Sequence, residues 1–242
     1  MHVHLPKPLH GWRAFFGEVG IIVLGVLIAL GAQRLADNWQ QARDAEQSRM
    51  ALRSEIGDDN LPQAYVRLAI APCLDSHLKM VQSAFQSGLD RKEFAQMTQS
   101  FVAPERTWDK QAWDASTSTG ALAHEGAKEL MRWAFPYTII AQLADWNMHE
   151  SEDLADLRSV RPTPGAFTAD EADRVTRALE HLKHDQFVML NLSMVLMHAA
   201  AKVGVALNDG ERRRLLAETH KEWGSCATPS PQRVAKIVYD VR

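Results

Sequence analysis

Apolar residues run almost unbroken from Ala14 to Ala32 (AFFGEVGIIVLGVLIALGA), with one charge and no proline. At about 1.5 Å per helical residue this stretch reaches close to 30 Å, the thickness of a bilayer's hydrocarbon core, and it predicts one transmembrane helix. From Ala32 to Ile56 the pattern becomes periodic. No Gly or Pro intervenes, and Leu35, Trp39, Ala42, Leu52 and Ile56 fall near one helical face. The helix is expected to run straight out of the membrane.

Beyond Ile56 the chain reads as further helices with polar punctuation. Gly57-Asp58-Asp59-Asn60 with Pro62 predicts a break or kink, and Pro72 a second one. Ala64–Ala69 and Cys73–Phe85 read as helix, the latter burying Leu74, Leu78, Val81 and Phe85, with Ser87-Gly88 as its stop. A short helix over Arg91–Gln99 precedes a loop holding Pro104. Trp108–Leu122 is expected to be a helix with inward tryptophans and a tight turn at Ser118-Thr119-Gly120.

Two long helical patterns complete the body. The first runs from Glu125 to about Leu157, bent at Pro136, with Leu130, Trp133, Ile140, Leu143 and Trp146 on its apolar side. Arg161–Phe167 (RPTPGAF) is the clearest loop. Thr168 with Glu171 three residues on has the capping-box spacing and opens a helix that runs to Leu207. Phe187–Leu207 is apolar, but Asn191, Ser193, His198 and Lys202 argue for a buried helix over a second span. Asn208-Asp209-Gly210 is read as its end, followed by a short helix to Trp223 and a proline-containing tail with Cys226. No strand pattern of any length occurs. The expected fold class is all-α: one transmembrane helix continuing into an antiparallel helical bundle, divided as 1-13, 14-32 and 33-242.

A cleaved secretory signal is the competing reading of the N-terminus, since Met1–Arg13 is basic and Ala29-Leu30-Gly31 resembles a cleavage site. The uninterrupted helical pattern after the apolar run favours an uncleaved anchor. Lys7 and Arg13, with His2, His4 and His10, precede the span, whereas Arg34 and Arg43 after it are mixed with Asp37, Asp44 and Glu46. This bias favours a cytoplasmic N-terminus and a body outside the cytoplasm. Trp12 and Trp39 flank the span. Glu18, a little more than a turn inside, is placed at the headgroup boundary, or else in a helix–helix contact with Gly17, Gly20, Gly25 and Ala29.

A net charge of −3 argues against a phosphate-binding surface, so nucleic acid is not an expected partner. The two cysteines, Cys73 and Cys226, lack metal-ligand spacing. With the body outside the cytoplasm they are expected to form a structural disulfide, and in a reducing compartment two free thiols.

Candidate chemistry is sparse. Glu180-His181-Leu182-Lys183-His184-Asp185 could begin a metal site, but there is no second copy of a Glu-x-x-His motif, and a solvated face is the expectation. Met189, Met194 and Met197 beside His198 read as core, and Glu150-Ser151-Glu152-Asp153 as a solvated face. No catalytic motif is found, so a non-enzymatic protein without a cofactor is expected.

Three blocks together, Gly17–Leu30 followed by Trp39, Ala71-Pro72-Cys73-Leu74-Asp75, and Trp113-Asp114-Ala115 with Ser118 and Gly120-Ala121-Leu122, resemble a group of uncharacterised bacterial proteins. Those have one N-terminal membrane helix and a helical extracytoplasmic body. The resemblance implies a bacterial inner-membrane location and the same architecture, but no activity. The sequence thus leads to a membrane-anchored accessory or scaffold subunit, acting through the bilayer and a membrane-protein partner or a second copy of itself. The alternative is a periplasmic ligand-binding bundle with a pocket near Trp108 and Trp113. An ion-driven role for Glu18, as in small stator subunits, lacks the aspartate and the mixed α/β domain those carry.

Overall fold

The computed structural model describes residues 12–229 apart from Val102, Glu105 and His124, and omits the side chains of Arg13 and Ala14. The tail charges Lys7, His2, His4 and His10, the Arg13 side chain and the chain beyond Pro229 lie outside the described residues. The fold is all-α: α1 (Trp12–Ser54), α2 (Leu61–Gln86), α3 (Arg91–Gln99), α4 (Gln111–Ser118), α5 (Ala127–Arg158), α6 (Ala169–Lys202) and α7 (Asp209–Trp223).

The expected break after Ile56 is absent. Glu55–Asn60 forms a π-helical turn, so one helical path of 72 residues runs from Phe15 to Gln86. Pro62 has no N–H to donate, and widening the turn lets Leu61 N–H reach back to the Ile56 carbonyl. Asn60, fully buried, holds the turn: its Nδ2 donates to the Glu55 and Asp109 carbonyls at 2.9 Å each, and its Oδ1 accepts from Asp109 N at 3.1 Å. Glu55 Oε1 accepts from Ala112 N at 2.7 Å and so seats α4 on α1.

Pro72 does not end a helix either. It lies inside α2, where its ring crowds the carbonyls one turn below, and the Ala69 carbonyl accepts a hydrogen bond from Thr228 N at 2.9 Å. Cys73 is bonded to Cys226 beside this contact, with an S–S distance of 2.07 Å and Cα atoms 5.2 Å apart. Cys226 is thereby tied to the middle of α2. Cys226 sits in a 3₁₀ turn, Gly224–Cys226, directly after α7.

Two apolar layers fill the bundle. The lower one gathers Leu52, Ile56, Leu61, Ile70, Trp133, Ile140, Leu143, Leu196 and Leu215, and the upper one Leu78, Val81, Phe94, Leu154, Leu157, Val175 and Leu182. Paired contacts fix directions: Tyr137 with Leu52 and Glu150 with Arg67 make α5 parallel to the α1–α2 path. His181 with Asp153 and Arg132 with the Lys202 carbonyl make α6 antiparallel to α5.

Local signals succeed where the capping residues are contiguous. Thr168 and Glu171 form the expected box, and Arg91 reaches Glu171 at 3.0 Å. Three expectations need correction. The Trp108–Leu122 helix shrinks to α4, with Trp108 buried in the preceding loop. The helix from Ala169 stops at Lys202, five residues short of Leu207, where Gly204 turns with φ 78°. Asn208 is no terminator: it caps α7 in a second box with Glu211.

Along α1 the face expected to be apolar divides. Leu52 and Ile56 are core, whereas Leu35 and Trp39 are 72% and 64% exposed. The described residues contain one helix long and apolar enough to cross a membrane, near the N-terminus. Phe187–Lys202 belongs instead to a helix packed into the bundle, with Met189, Leu196 and Ala200 in its core.

Candidate functional site

Between the two apolar layers lies a belt of polar side chains. Arg67, a lone cation in the apolar run Tyr65–Ile70, donates from Nη1 and Nη2 to the two carboxylate oxygens of Glu150 at 2.6 and 2.5 Å. The two side chains are 3% and 1% exposed. An arginine pairing both oxygens supplies the geometry that such burial demands. Glu150 is thus no part of a solvated face, contrary to the sequence expectation. Asp153, one turn further on, is half-buried and bonded to His181, Asp153 Oδ1 to Nδ1 at 3.1 Å.

Asp185 of α6 closes the belt. It is 3% exposed, and its Oδ2 has no hydrogen-bond partner. Burial first, then the neighbouring carboxyl groups of Asp153 and Glu150, push its carboxyl up to about 7, against the opposing pull of His181. The solvated face expected for Glu180–Asp185 therefore holds for the exposed His181 and His184 and fails for Asp185.

Asp153, His181, His184 and Asp185 line a cleft of about 380 Å³ between α5 and α6, together with Trp146, His149 and Glu152. Trp146 forms its wall, with the His149 and His184 rings set edge-on at 5.3 Å each. Cation-attracting chemistry is concentrated here: imidazoles, carboxylates and an aromatic face. Among the described residues, no group of three or more His, Cys, Asp or Glu side chains could hold a metal ion. Two further clefts are less polar. One of about 300 Å³ lies between α2 and α6 by Leu74, Lys183 and Phe187, and one of about 470 Å³ lies by Met131, Arg132, Phe135 and Lys202.

The burial of Asp185 has a measurable effect on stability. Its folded-state pKa lies above the ordinary carboxylate value, so native Asp185 resists ionisation. Its contribution is unperturbed below about pH 4 and becomes progressively unfavourable as pH rises towards about 7, where ionisation is forced. Asp185→Asn is therefore expected to gain stability relative to the wild type across this window, with little difference at pH 4. Urea midpoints of both proteins at pH 4, 6 and 8 check this, and a constant difference would contradict it.

The other sequence-selected positions fare differently. Trp108 is buried in the lower core and Trp113 stacks on Tyr137, ring centroids 5.0 Å apart, so neither lines any of the three clefts. Gly17, Glu18, Gly20, Gly25 and Ala29 are exposed along α1, and a Cβ on any of these glycines would meet nothing within 4 Å. The folded chain brings no second group to them. Arg67 and His149 are the residues without a sequence signal of their own, although a cation inside an apolar run already demands a buried partner. Compared with protein-family models, with curated proteins and with solved structures, the chain matches none.

Proposed function

We propose that this protein is a single-pass bacterial inner-membrane subunit that acts as a scaffold or accessory component, its uncleaved α1 pairing with another membrane helix. The observation that carries this reading is the isolation of α1. Its apolar segment is wholly unburied by the protein's own body, and the first buried side chain along it is Ala45. A helix that buries its apolar surface only in lipid needs no special face, yet α1 has one. Glu18, Ile22, Gly25, Ala29, Ala32 and Ala36 alternate at steps of four and three, the seam along which two helices approach closely.

The π-helical continuity of α1 with α2 supports mechanical coupling between that seam and the body, since no flexible joint intervenes. The Cys73–Cys226 link supports a body in an oxidising compartment, hence a periplasmic body and a cytoplasmic N-terminus. The chemistry that follows is positional: the body is held at a fixed angle to whatever α1 binds.

The test is a photoreactive side chain installed in place of Ala29, on the seam, or of Leu27, on the opposite face, and activated in native membranes. A protein adduct is expected from the seam position and not from the other. An adduct with a second copy identifies a homo-oligomeric scaffold, and one with a different membrane protein identifies an accessory subunit. Lipid adducts alone at both positions would overturn the reading.

A further inference from the structure

The three clefts differ in the sign of the charge around them. Lys128, Arg132 and Lys202 line one, and Arg67 and Lys183 another, whereas among the described residues no lysine or arginine lines the cleft between α5 and α6. Its acids are Glu152, Asp153 and Asp185, and the neighbouring Glu150 is already paired with Arg67. Lys183, two positions before Asp185 on α6, lines the cleft on the α2 side and brings no charge to these acids. Of the imidazoles, His181 is bonded to Asp153 at 3.1 Å, and His149 and His184 are set against Trp146.

Carboxylates on a helix face are ordinarily solvated, and two of these are not. The Asp153 side chain is 18% exposed, and Asp185 is 3% exposed with its Oδ2 lacking any partner. A buried acceptor without a donor is costly, so this cleft is short of a hydrogen-bond donor as well as of positive charge. Trp146 supplies an apolar wall, and an indole ring also attracts cations.

We propose that this cleft binds a small aliphatic amine in its ammonium form, with Asp153 and Asp185 accepting its N–H groups and Trp146 carrying its carbon chain. An ammonium group brings both a full positive charge and three donors. It needs no convergent set of ligands around one point, because each N–H is satisfied by a single acceptor and the carboxylates can stand at different depths. A quaternary ammonium fits less well, since it carries the charge but no N–H for Asp185. At about 380 Å³ the cleft lies near the lower end of small-molecule sites, so the ligand is small. On a diamine the second ammonium meets the exposed Glu152 at the rim. This inference does not depend on the pairing of α1.

The experiment uses the full chain in a nonionic detergent at pH 8, titrated calorimetrically with 1,4-diaminobutane. Saturable binding of one molecule per chain is expected, with a Kd below about 1 mM. Asp185→Asn should weaken it by at least about tenfold, because the amide keeps the shape and loses the charge. Asp156→Asn removes an equal charge from the exposed surface of α5 outside the cleft, and should change affinity by less than about twofold. Tetramethylammonium should bind at least about tenfold more weakly than the diamine. Asp185→Asn is isosteric, and circular dichroism verifies its fold. Absence of saturable diamine binding would overturn the proposal. So would equal effects of the two variants, which would reduce binding to general surface charge, or tetramethylammonium binding as tightly as the diamine.

Discussion

Replacing Arg67 by methionine is expected to destabilise the bundle by about 3–5 kcal/mol, because it strands Glu150 as an unpaired charge between two apolar layers. The side chain of Glu150 is 1% exposed and spends both carboxylate oxygens on Arg67, so no water can take over. Glu150→Met should cost a similar amount by stranding the guanidinium. The double variant is the informative one. Arg67→Met with Glu150→Met removes both charges and leaves side chains of comparable bulk, and much of the stability should return. Urea unfolding of the full chain in detergent, followed by tryptophan fluorescence, gives the cycle. If the single variants unfolded at the wild-type midpoint, the pair would be incidental to folding.

The helical class, the long hairpin of α5 and α6, and the Thr168 box are all legible in the sequence because each depends on residues within one or two turns of each other. What sequence does not convey is how distant groups relieve a local penalty. Pro62 and Pro72 look like terminators because each deletes a donor. The fold keeps the helix through the first by a π turn that Asn60 braces against Asp109, and through the second α2 runs on, with Thr228 donating from outside to the Ala69 carbonyl, next to the Leu68 carbonyl that Pro72 leaves without its helical donor. Asn208 carries the same ambiguity: its side chain suits either the end of one helix or the start of the next, and Glu211 decides it.

The polar belt illustrates a different limit. Glu150, Glu152 and Asp153 share a stretch of α5, and charge pattern alone treats them alike. Only docking separates them: Glu150 turns into the core, Asp153 meets α6, and Glu152 stays at the surface. Likewise Asp153 on α5 and His181 on α6 are ordinary singly, and their contact at 3.1 Å forms only when the two helices dock. Their relation is a property of the antiparallel register. A Glu-x-x-His pattern does not contain it.

Loss of the Cys73–Cys226 link is the second large effect expected, about 2–5 kcal/mol for the Cys73→Ser, Cys226→Ser protein. The bonded residues are 153 apart in sequence, so the unfolded chain loses much conformational freedom when they are joined. The native structure indicates where the deficit will appear. α7 buries little, Leu215 and Thr219 being its buried residues, and its C-terminal end is held by the disulfide and by the Thr228–Ala69 hydrogen bond. Without the link, α7 should open before the α2–α5–α6 core does. Hydrogen exchange should accordingly quicken first over residues 209–228, with α5 and α6 still protected, and the main unfolding transition should move to lower urea. Equal exchange in both proteins would mean that α7 is held by its packing alone. The freed Ala69 carbonyl offers a second readout, because losing Thr228 leaves the α2 turn below Pro72 without its outside donor. Faster exchange just around that turn, confined to the serine variant, would tie the tail, the proline and the disulfide into one structural unit.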